Sequence, residues 1–429
     1  MLLCLRRSLS SRSADLFGGG RMVRRVFWAA IAALALVLLL IGSGVPISSR
    51  ASAASSCPTP PASFAPENAS ASQLAAYCYS ANSPTSVEPL PGGGSATTFD
   101  VNGRANTFLV PPTGFQPADA TSAQLAEYGF PPAPATSSST HATWLGWMKA
   151  YKYTTKIRHL YSRPGLPTIS NAPLTSDSAN WGGYVADAAS QVYTSASGNF
   201  TEPTITAACG PDDGWSGWYG IGGVNSGGLQ QAGSGWDDPN VNLSNPTRDP
   251  NNPAGGQVWY EDLSPGNSIG TINTVPVPGF YVNPGDNLAV QIWVGAPYVY
   301  YFIEDTNSGQ QVTVKDTPTQ IDESSAEAVV ERSYLSTQGG ASGFMGLPRF
   351  TNFQQFAWTE VNSQYGVGMA DAPLDFNEVM VNNTTSNYQP PQNTGNLLSQ
   401  TTNEQANFYI SGYPAEDEDQ WTQNWYNCQ

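Results

Sequence analysis

Apolar and polar side chains alternate in many short stretches along the second half of the chain. Residues 288–294 read Leu-Ala-Val-Gln-Ile-Trp-Val, so the large aliphatic residues recur at every second position. This period of two predicts a strand with one buried face. Similar stretches predict further strands at residues 258–261, 298–304, 311–314, 326–332 and 378–381.

Turn signals separate these stretches, as in Asn307-Ser308-Gly309 and in residues 283–286 (Asn-Pro-Gly-Asp). From about Ser176 onward we therefore expect about ten or more short strands and no convincing helix. This pattern predicts an all-β fold, a two-sheet antiparallel β-sandwich. Glycine-rich strands would let such a sheet curve around an extended ligand.

The preceding part of the chain has a different pattern. Residues 54–118 are rich in Ala, Ser, Pro, Thr and Gly, which is typical of loosely ordered segments. A weak repeat relates residues 69–77 to residues 120–128, and each copy predicts a short helix with a Ser or Thr cap. A basic, aromatic helix is predicted over residues 144–160, so the sandwich would follow a partly helical segment.

The N-terminal residues have the layout of a secretory signal. Arg24 and Arg25 precede the apolar run 26–41, and cleavage after Ala53 fits the small residues there. We expect a secreted protein, with an uncleaved single-span membrane anchor as the alternative. Residues 1–21, ahead of Met22, resemble an over-called start.

Composition and charge exclude several classes of protein. The 429 residues contain 17 Lys+Arg and 33 Asp+Glu, for a net charge of −16. Residues 1–165 hold 13 basic and 6 acidic side chains, whereas residues 166–429 hold 4 basic and 27 acidic ones. An acidic second half argues against a nucleic-acid binder, which needs clustered Lys and Arg.

Histidine is absent after His159, and the other histidine is His141. The acidic half therefore cannot supply a Ser–His or Cys–His pair or a histidine zinc site from its own residues. Its chemistry would come from carboxylates, amides, hydroxyls or Tyr. We expect neither a metal nor another cofactor.

Five cysteines occur in the chain, and setting Cys4 aside leaves four in the exported part. The simplest pairs are Cys57–Cys78 and Cys209–Cys428. Four cysteines allow three arrangements, so spacing alone leaves the connectivity open.

Three clusters combine acidic or amide side chains with aromatic residues. Residues 215–233 place Trp218 and the amides of Gln230 and Gln231 among glycines, and residues 259–262 read Trp-Tyr-Glu-Asp. In residues 326–331 (Ala-Glu-Ala-Val-Val-Glu), a strand would put both glutamates on one face, which fits solvent or a cleft better than a core. Each cluster alone also fits ordinary packing, a solvated sheet face or sugar stacking.

Taken together, five motifs resemble the glutamic peptidase (eqolisin) family. In chain order they are residues 180–184 (Asn-Trp-Gly-Gly-Tyr), 218–223 (Trp-Tyr-Gly-Ile-Gly-Gly), 229–233 (Leu-Gln-Gln-Ala-Gly), 259–261 and 326–331. The family consists of secreted acid endopeptidases on a lectin-like (concanavalin-like) β-sandwich. The resemblance spans about residues 176–413, and residues 123–132 resemble the family's propeptides.

The resemblance implies a catalytic pair formed by Gln231 and Glu331. Gln230 is the rival glutamine if the register slips by one, and Glu327 is the rival glutamate. Trp218, Glu261 and Trp181 match positions that line the family's active site.

One position departs from the family pattern. Gly222 stands where family members commonly carry Asp. This difference bears on a neighbouring acidic contact and on the choice of substrate.

The export signal and the resemblance together predict an order of segments along the chain. These are the over-called start (1–21), a signal peptide (22–53), a propeptide with linker (54–170), a catalytic sandwich (171–413) and an acidic tail (414–429). We expect a secreted acid endopeptidase that acts on protein or peptide substrates.

We expect its own propeptide to inhibit the enzyme at neutral pH. The attraction to the acidic half would come from four basic side chains, Lys149, Lys152, Lys156 and Arg158. A lectin-like carbohydrate-binding protein or a glycosidase is the alternative, since a glycosidase needs two carboxylates.

Overall fold

The computed structural model describes most of the chain from Cys57 onward. The described residues are 57–162 (without 59, 62, 102, 137 and 138), 177–187 (without 179), 191–206, 209–210, 213–224, 228–237, 249–263, 274–332, 334–336, 342–351, 353–362, 364–368, 375–381, 397–406 and 419–426. Residues 57–429 form one compact unit. The predicted start (1–21), signal peptide (22–53) and boundary near residue 170 lie outside the described residues.

The segment from Cys57 to Ser162, called the leader below, contains both helices and strands. Its elements are α1 (Ala71–Ala76), α2 (Ser122–Tyr128), α3 (Ser139–Ala150), β1 (Ser80–Asn82), β2 (Ser86–Pro89), β3 (Ser95–Val101), β4 (Arg104–Val110), β5 (Tyr153–Thr154) and β6 (Leu160–Ser162). The two repeat helices are confirmed as α1 and α2. Each begins with a capping box, in which Ser70 pairs with Gln73 and Thr121 with Gln124.

Two predictions for the leader were wrong in part. Residues 80–110, expected to be loosely ordered, form four strands, because the β3–β4 hairpin pairs with a strand of the sandwich. The predicted helix 144–160 begins earlier, at Ser139, and ends at Ala150. Tyr153 and Thr154 leave the helical path to pair with residues 310–311 of the sandwich.

The rest of the described chain is built from strands. They are β7 (Asp177–Ser178), β8 (Trp181–Asp187), β9 (Tyr193–Thr201), β10 (Thr204–Thr206), β11 (Gly214–Gly222), β12 (Leu229–Asp237), β13 (Gly256–Leu263), β14 (Val275–Val282), β15 (Asn287–Gly295), β16 (Tyr298–Asp305), β17 (Gln310–Asp316), β18 (Ser325–Glu331), β19 (Tyr334–Ser336), β20 (Ser342–Phe344), β21 (Arg349–Thr351), β22 (Phe353–Val361), β23 (Gln364–Gly368), β24 (Asp375–Val381), β25 (Leu397–Ala406) and β26 (Asp419–Trp425). All six strand stretches predicted from alternation are confirmed.

The strands form two mainly antiparallel sheets, which confirms the predicted sandwich. The front sheet has the order β14–β13–β12–β11–β18–β8–β24. The back sheet has the order β2–β3–β4–β17–β16–β15–β9–β22–β26–β25. Strand β24 also pairs with β25 and so joins the two sheets.

A large apolar core fills the space between the inner faces of the two sheets. The front sheet contributes residues such as Tyr219 and Tyr260, and the back sheet contributes residues such as Ile292 and Tyr301. The leader adds Phe108 to this same core. Burial of these side chains is the main stabilising contribution to the fold.

Helices α2 and α3 of the leader, with the residues that follow each, cover part of the outer face of the back sheet. Trp147 of α3 stacks on Trp358 of β22 with ring centroids 5.1 Å apart, and Phe130 contacts Phe302 of β16. These residues belong to a second apolar cluster, separate from the core between the sheets. The leader thus takes part in the packing of the sandwich on two of its surfaces.

The predicted disulfide Cys57–Cys78 is confirmed. Cys209 is also disulfide-bonded, while its predicted partner Cys428 lies outside the described residues. Part of the acidic tail forms β26, which pairs with both β22 and β25. Within the described part of the chain, no helix is long and apolar enough to cross a membrane.

Candidate active site

The outer face of the front sheet carries most of the predicted site residues. Side chains on a strand alternate between two faces, and Tyr219, Ala232, Tyr260 and Ala328 point into the core. Their neighbours therefore point outward. These are Trp218 and Gly220 on β11, Gln231 and Gly233 on β12, Trp259 and Glu261 on β13, Glu327, Val329 and Glu331 on β18, and Trp181 on β8.

Glu331 is a buried carboxyl held by two nitrogen donors. Asn180 Nδ2 donates to its Oε1 at 3.1 Å, and Trp218 Nε1 donates to its Oε2 at 2.8 Å. Burial is the largest cause that raises the pKa of Glu331 to about 8, and the negative charge of Glu261 raises it further. The two donors and the Trp181 indole act in the opposite direction, since they stabilise the ionised form.

Gln231 is oriented by Glu261, its register partner on β13. The Nε2 atom of Gln231 donates a hydrogen bond to Oε2 of Glu261, and Thr274 Oγ1 donates to the other carboxyl oxygen at 2.8 Å. Burial raises the pKa of Glu261, while Thr274, Gln231 and the charge of Arg104 lower it. The Gln231 amide has a second N–H besides the one that bonds to Glu261. Within the described part of the chain, the Oε1 atom of Gln231 accepts no hydrogen bond.

The two rival residues occupy different places. Gln230 points to the inner face, where its Nε2 donates to Oδ1 of Asp262 at 2.9 Å. Glu327 shares the outer face with Glu331 but precedes it by four residues on β18, which is two pleat repeats, and lies opposite Gly220. Burial raises the pKa of Glu327 well above its ordinary value, and Asp322 and Asp187 add to this.

Trp218 lies between the two halves of the site. On β11, Gly220 is the register partner of Gln231 and Ser216 is that of Glu331, so Trp218 is the outward residue midway between them. Trp181 contacts the Trp218 ring edge-to-face, with centroids 5.0 Å apart. The indoles thus support Glu331 from one side while Glu261 supports Gln231 from the other.

Gly222 cannot be replaced by aspartate in this backbone. It has a φ of +82°, and a Cβ there would lie 2.4 Å from the Gly228 carbonyl oxygen and 2.7 Å from the Asp322 carbonyl oxygen. The carboxylate beside this turn comes from Asp322, whose Oδ2 lies 3.5 Å from the Gly223 nitrogen. Sequence reasoning missed Asp322 because it lies in a loop far from residue 222 along the chain.

Arg104 was also missed. This leader residue forms an ion pair with Asp262, while the four basic side chains predicted to hold the leader are all exposed. Asn180 and Thr274 are two further contacts that single-sequence reasoning did not assign. Asn180 is the first residue of the Asn-Trp-Gly-Gly-Tyr motif, but nothing in its position indicated that it would donate to Glu331.

Comparisons with known proteins give a family for the chain. A family model described as the Peptidase A4 family matches residues 179–408. Two crystal structures of scytalido-glutamic peptidase with transition-state analogues are 12% and 14% identical, each with a TM-score of 0.39 and with 58% of this chain and 98% of the other covered. SCP-B, a member of the eqolisin family in complex with the tripeptide Ala-Ile-His, is 14% identical with a TM-score of 0.38 over the same shares. No curated protein sequence matches the chain.

Proposed function

The chain belongs to the peptidase A4 family and is therefore a glutamic-type peptidase, a hydrolase of peptide bonds, and we propose that Gln231 and Glu331 form its catalytic pair. The observation that carries this proposal is the pair of supports on one sheet face. Trp218 and Asn180 hold Glu331, and Glu261 holds Gln231. The family match favours a peptidase over the lectin-like or glycosidase alternative.

Each member of the pair has a distinct role in the proposed reaction. The Glu331 carboxylate takes a proton from water, and the resulting hydroxide attacks the peptide carbonyl carbon. The remaining N–H of the Gln231 amide stabilises the negative oxygen of the tetrahedral intermediate. Glu331 then returns its proton to the leaving nitrogen, the C–N bond breaks, and the carboxyl is ready for another cycle.

The resemblance predicts an acidic working pH, and the pKa of Glu331 sets a condition on it. A base with a pKa of about 8 holds its proton at acidic pH and cannot activate water. Burial is the largest cause of this raised pKa, so a water molecule admitted beside Glu331 would lower it. The hydrogen bonds from Asn180 and Trp218 then favour the ionised form of Glu331 over the protonated form. We therefore propose acid activity that depends on hydration of Glu331.

Three further residues have proposed roles next to the catalytic pair. Trp181 and Trp218, expected to bind substrate, are 2% and 0% exposed; Trp218 Nε1 donates to Glu331, and Trp181 packs against the Trp218 ring. We therefore assign both indoles to holding Glu331. Glu261, also expected to bind substrate, is only 3% exposed and bonds to Gln231. We therefore assign it the positioning of that amide.

Secretion is part of the proposal. An export signal at residues 22–53 would deliver the protein outside the cell, where Cys57 and Cys78 can form their disulfide. Expression with and without residues 22–53, followed by blotting of medium and membrane fractions, tests secretion against the anchored alternative. Protein that stays with the membrane would contradict secretion.

The expected inhibition by the leader also stays a proposal. Lys149, Lys152, Lys156 and Arg158 are exposed, and the described leader residues pack on the back sheet and in the core. Incubation of the purified full chain between pH 3 and 7 tests whether cleavage within the leader raises activity. Equal activity of cleaved and uncleaved protein would contradict inhibition.

The decisive experiment compares the two neighbouring glutamines. Denatured casein is digested between pH 2 and 8 by the full chain and by the Gln231→Ala and Gln230→Ala variants, with pepstatin added as a control for aspartic peptidases. We expect Gln231→Ala to lose about 100- to 1000-fold in kcat, because it removes the oxyanion donor. Gln230→Ala, on the inner face, is expected to stay within about tenfold of the parent, a change of about 1.4 kcal/mol. Near-parent turnover by Gln231→Ala would contradict the assignment.

A further inference from the structure

The β3–β4 hairpin of the leader is built into the sandwich. Strand β4 extends the back sheet by pairing with β17, and Phe99 and Phe108 enter the core between the sheets. The Phe108 ring contacts the ring of Tyr260, with centroids 6.0 Å apart. Tyr260 immediately precedes Glu261, so the hairpin packs behind the strand that orients Gln231.

Arg104, at the start of β4, reaches from this hairpin to the front sheet. Its Nη1 forms an ion pair with Oδ2 of Asp262, and its Nη2 donates to the Asp262 backbone carbonyl at 3.0 Å. The side chains of Arg104 and Asp262 are 12% and 3% exposed. Two contacts from one planar guanidinium to one residue restrain both position and direction.

Asp262 belongs to a pair that lies directly behind the catalytic glutamine. Gln230 and Asp262 are register partners on the inner face, joined by a 2.9 Å hydrogen bond, while Gln231 and Glu261 are the next partners on the outer face. A contact that fixes the side chain of Asp262 therefore also fixes the adjacent register pair of β12 and β13, which is Gln231 and Glu261.

We propose that Arg104 is a positioning residue for the peptidase site, acting through Asp262 on the Gln231–Glu261 pair. The competent enzyme then keeps the β3–β4 hairpin in place, whether or not the chain is cut elsewhere in the leader. This inference rests on the proposed catalytic pair. The expected effect on activity is opposite to that of inhibition by the leader, because loss of the β3–β4 hairpin would lower activity.

The charge of Arg104 acts together with its geometry. The groups that face it are Asp262 and Tyr260 on β13, Asp316 on β17 and Tyr301 on β16. Its positive charge lowers the pKa of Glu261, which is also faced by Gln231, Thr274 and Glu331. A lower pKa keeps Glu261 ionised to a more acidic pH, and the carboxylate is the form that accepts the Gln231 N–H.

The test uses the full chain with three single variants. Arg104→Met removes the charge at similar size, Arg104→Lys keeps the charge without the planar fork, and Arg349→Met is the control, an exposed cation outside the leader. We expect Arg104→Met to lower kcat by about 10- to 100-fold with little change in KM. The acidic limb of its pH–rate profile should move to higher pH, since the pKa of Glu261 rises. Arg104→Lys keeps the charge, so the acidic limb of its pH–rate profile should lie where it does in the parent. Its kcat should be only partly restored, because the planar fork is missing.

A second readout is independent of catalysis. Hydrogen exchange of residues 229–237 and 256–263 should be faster in Arg104→Met than in the parent and unchanged in Arg349→Met. If Arg104→Met lowers only the melting temperature, with kcat and the pH limb as in the parent, the inference is overturned. If the exchange changes as expected but Gln231→Ala retains full activity, the proposed catalytic pair fails while the restraint by Arg104 stands.

An additional variant separates folding from positioning. Arg104→Met leaves Asp262 buried without its cation, which is costly, and Arg104→Met/Asp262→Asn removes that charge as well. We expect the double variant to recover stability but to keep the shifted pH limb. Recovery of the parent pH limb would overturn the inference.

Discussion

Trp218 and Glu331 form a diagonal pair on neighbouring strands. The register partner of Trp218 on β18 is Val329, two residues before Glu331, yet the Trp218 Nε1 lies 2.8 Å from Oε2 of Glu331. Diagonal neighbours on a sheet face are within reach of a large aromatic side chain. The indole is fully buried, so its N–H has no competing water.

Replacing Trp218 by Phe removes this donor and keeps an aromatic ring. We expect kcat/KM to fall about 10- to 100-fold, because a hydrogen bond to a charged group contributes about 1.5–3 kcal/mol. The pKa of Glu331 should rise, which moves the acidic limb of the pH–rate profile to higher pH. Trp215→Phe is the control, since Trp215 lies on the inner face and its Nε1 has no hydrogen-bond partner within the described part. An equal pH shift in both variants would count against the role of Trp218.

Glu331→Gln separates catalysis from stability. We expect kcat to fall about 100- to 10 000-fold, the range for loss of a general acid–base group. The folded-state pKa of Glu331, about 8, lies above its ordinary value of 4.5. Its ionisation therefore costs stability as the pH rises from 4.5 towards 8, and the variant should lose this part of the pH dependence in urea titrations.

Glu327→Gln is the matched change on the same strand and face. Since Glu327 lies beside Gly220 and away from the Trp218 donor, we expect kcat/KM within about tenfold of the parent, about 1.4 kcal/mol at most. A much larger loss in Glu327→Gln than in Glu331→Gln would exchange the two assignments.

Glu304 on β16 makes the stability of the whole unit depend on pH. It is fully buried on the outer face of the back sheet, its two oxygens accept no hydrogen bond within the described part, and burial raises its pKa well above 4.5. The unfolded chain ionises at lower pH than the folded one, so stability falls as the pH rises above 4.5.

We expect Glu304→Met to be more stable than the parent at pH 7 by about 1–3 kcal/mol, since it removes a buried polar group. The difference should shrink towards pH 4, where the ionisation of Glu304 no longer favours the unfolded chain. Glu88→Met, at an exposed position, controls for the loss of one carboxylate. Parallel stability–pH curves for Glu304→Met and the parent would refute the prediction, and thermal melts across this range measure it.

Two glycines should respond in opposite directions to alanine. A Cβ at Gly233 would lie 2.0 Å from the Gly217 carbonyl oxygen and 2.8 Å from the Trp218 Cα, so β11 and β12 would have to separate. We expect Gly233→Ala to cost about 3 kcal/mol or more and to lower activity through Trp218. A Cβ at Gly146 in α3 meets nothing within 4 Å. Gly146→Ala should therefore stabilise by about 0.5–1 kcal/mol, as denaturant unfolding would show.

The sequence predicts local features of this fold better than contacts between distant segments. Alternation alone locates β15 and β18, and the hydroxyl caps locate α1 and α2, because these signals depend on neighbouring residues. The pairing of β4 with β17 depends on residues some 200 positions apart along the chain. The β3–β4 hairpin itself does have a local signal, the Asn102-Gly103 pair between its strands, which sequence reasoning missed.

The candidate site shows the same limit. The order of the motifs gives the family resemblance, and the resemblance implies that Gln231 and Glu331 form a pair. The register of β12 with β13 then places Gln231, and not Gln230, on the sheet face that carries Glu331. The supports from Asn180, Thr274 and Arg104 depend on the geometry of packed strands. No local pattern of residues reports them, so sequence reasoning could not find them.

Strand β26 sets the order in which this peptidase can mature. It lies between β22 and β25 in the back sheet, whereas the leader strands of that sheet come from residues near position 100. Neither ladder of β26 can form until residues 419–425 have been synthesised, although chains are made from the N-terminus onward. The back sheet is therefore still incomplete while the chain is being synthesised. The protease can complete its fold only after almost all of the described residues have been added.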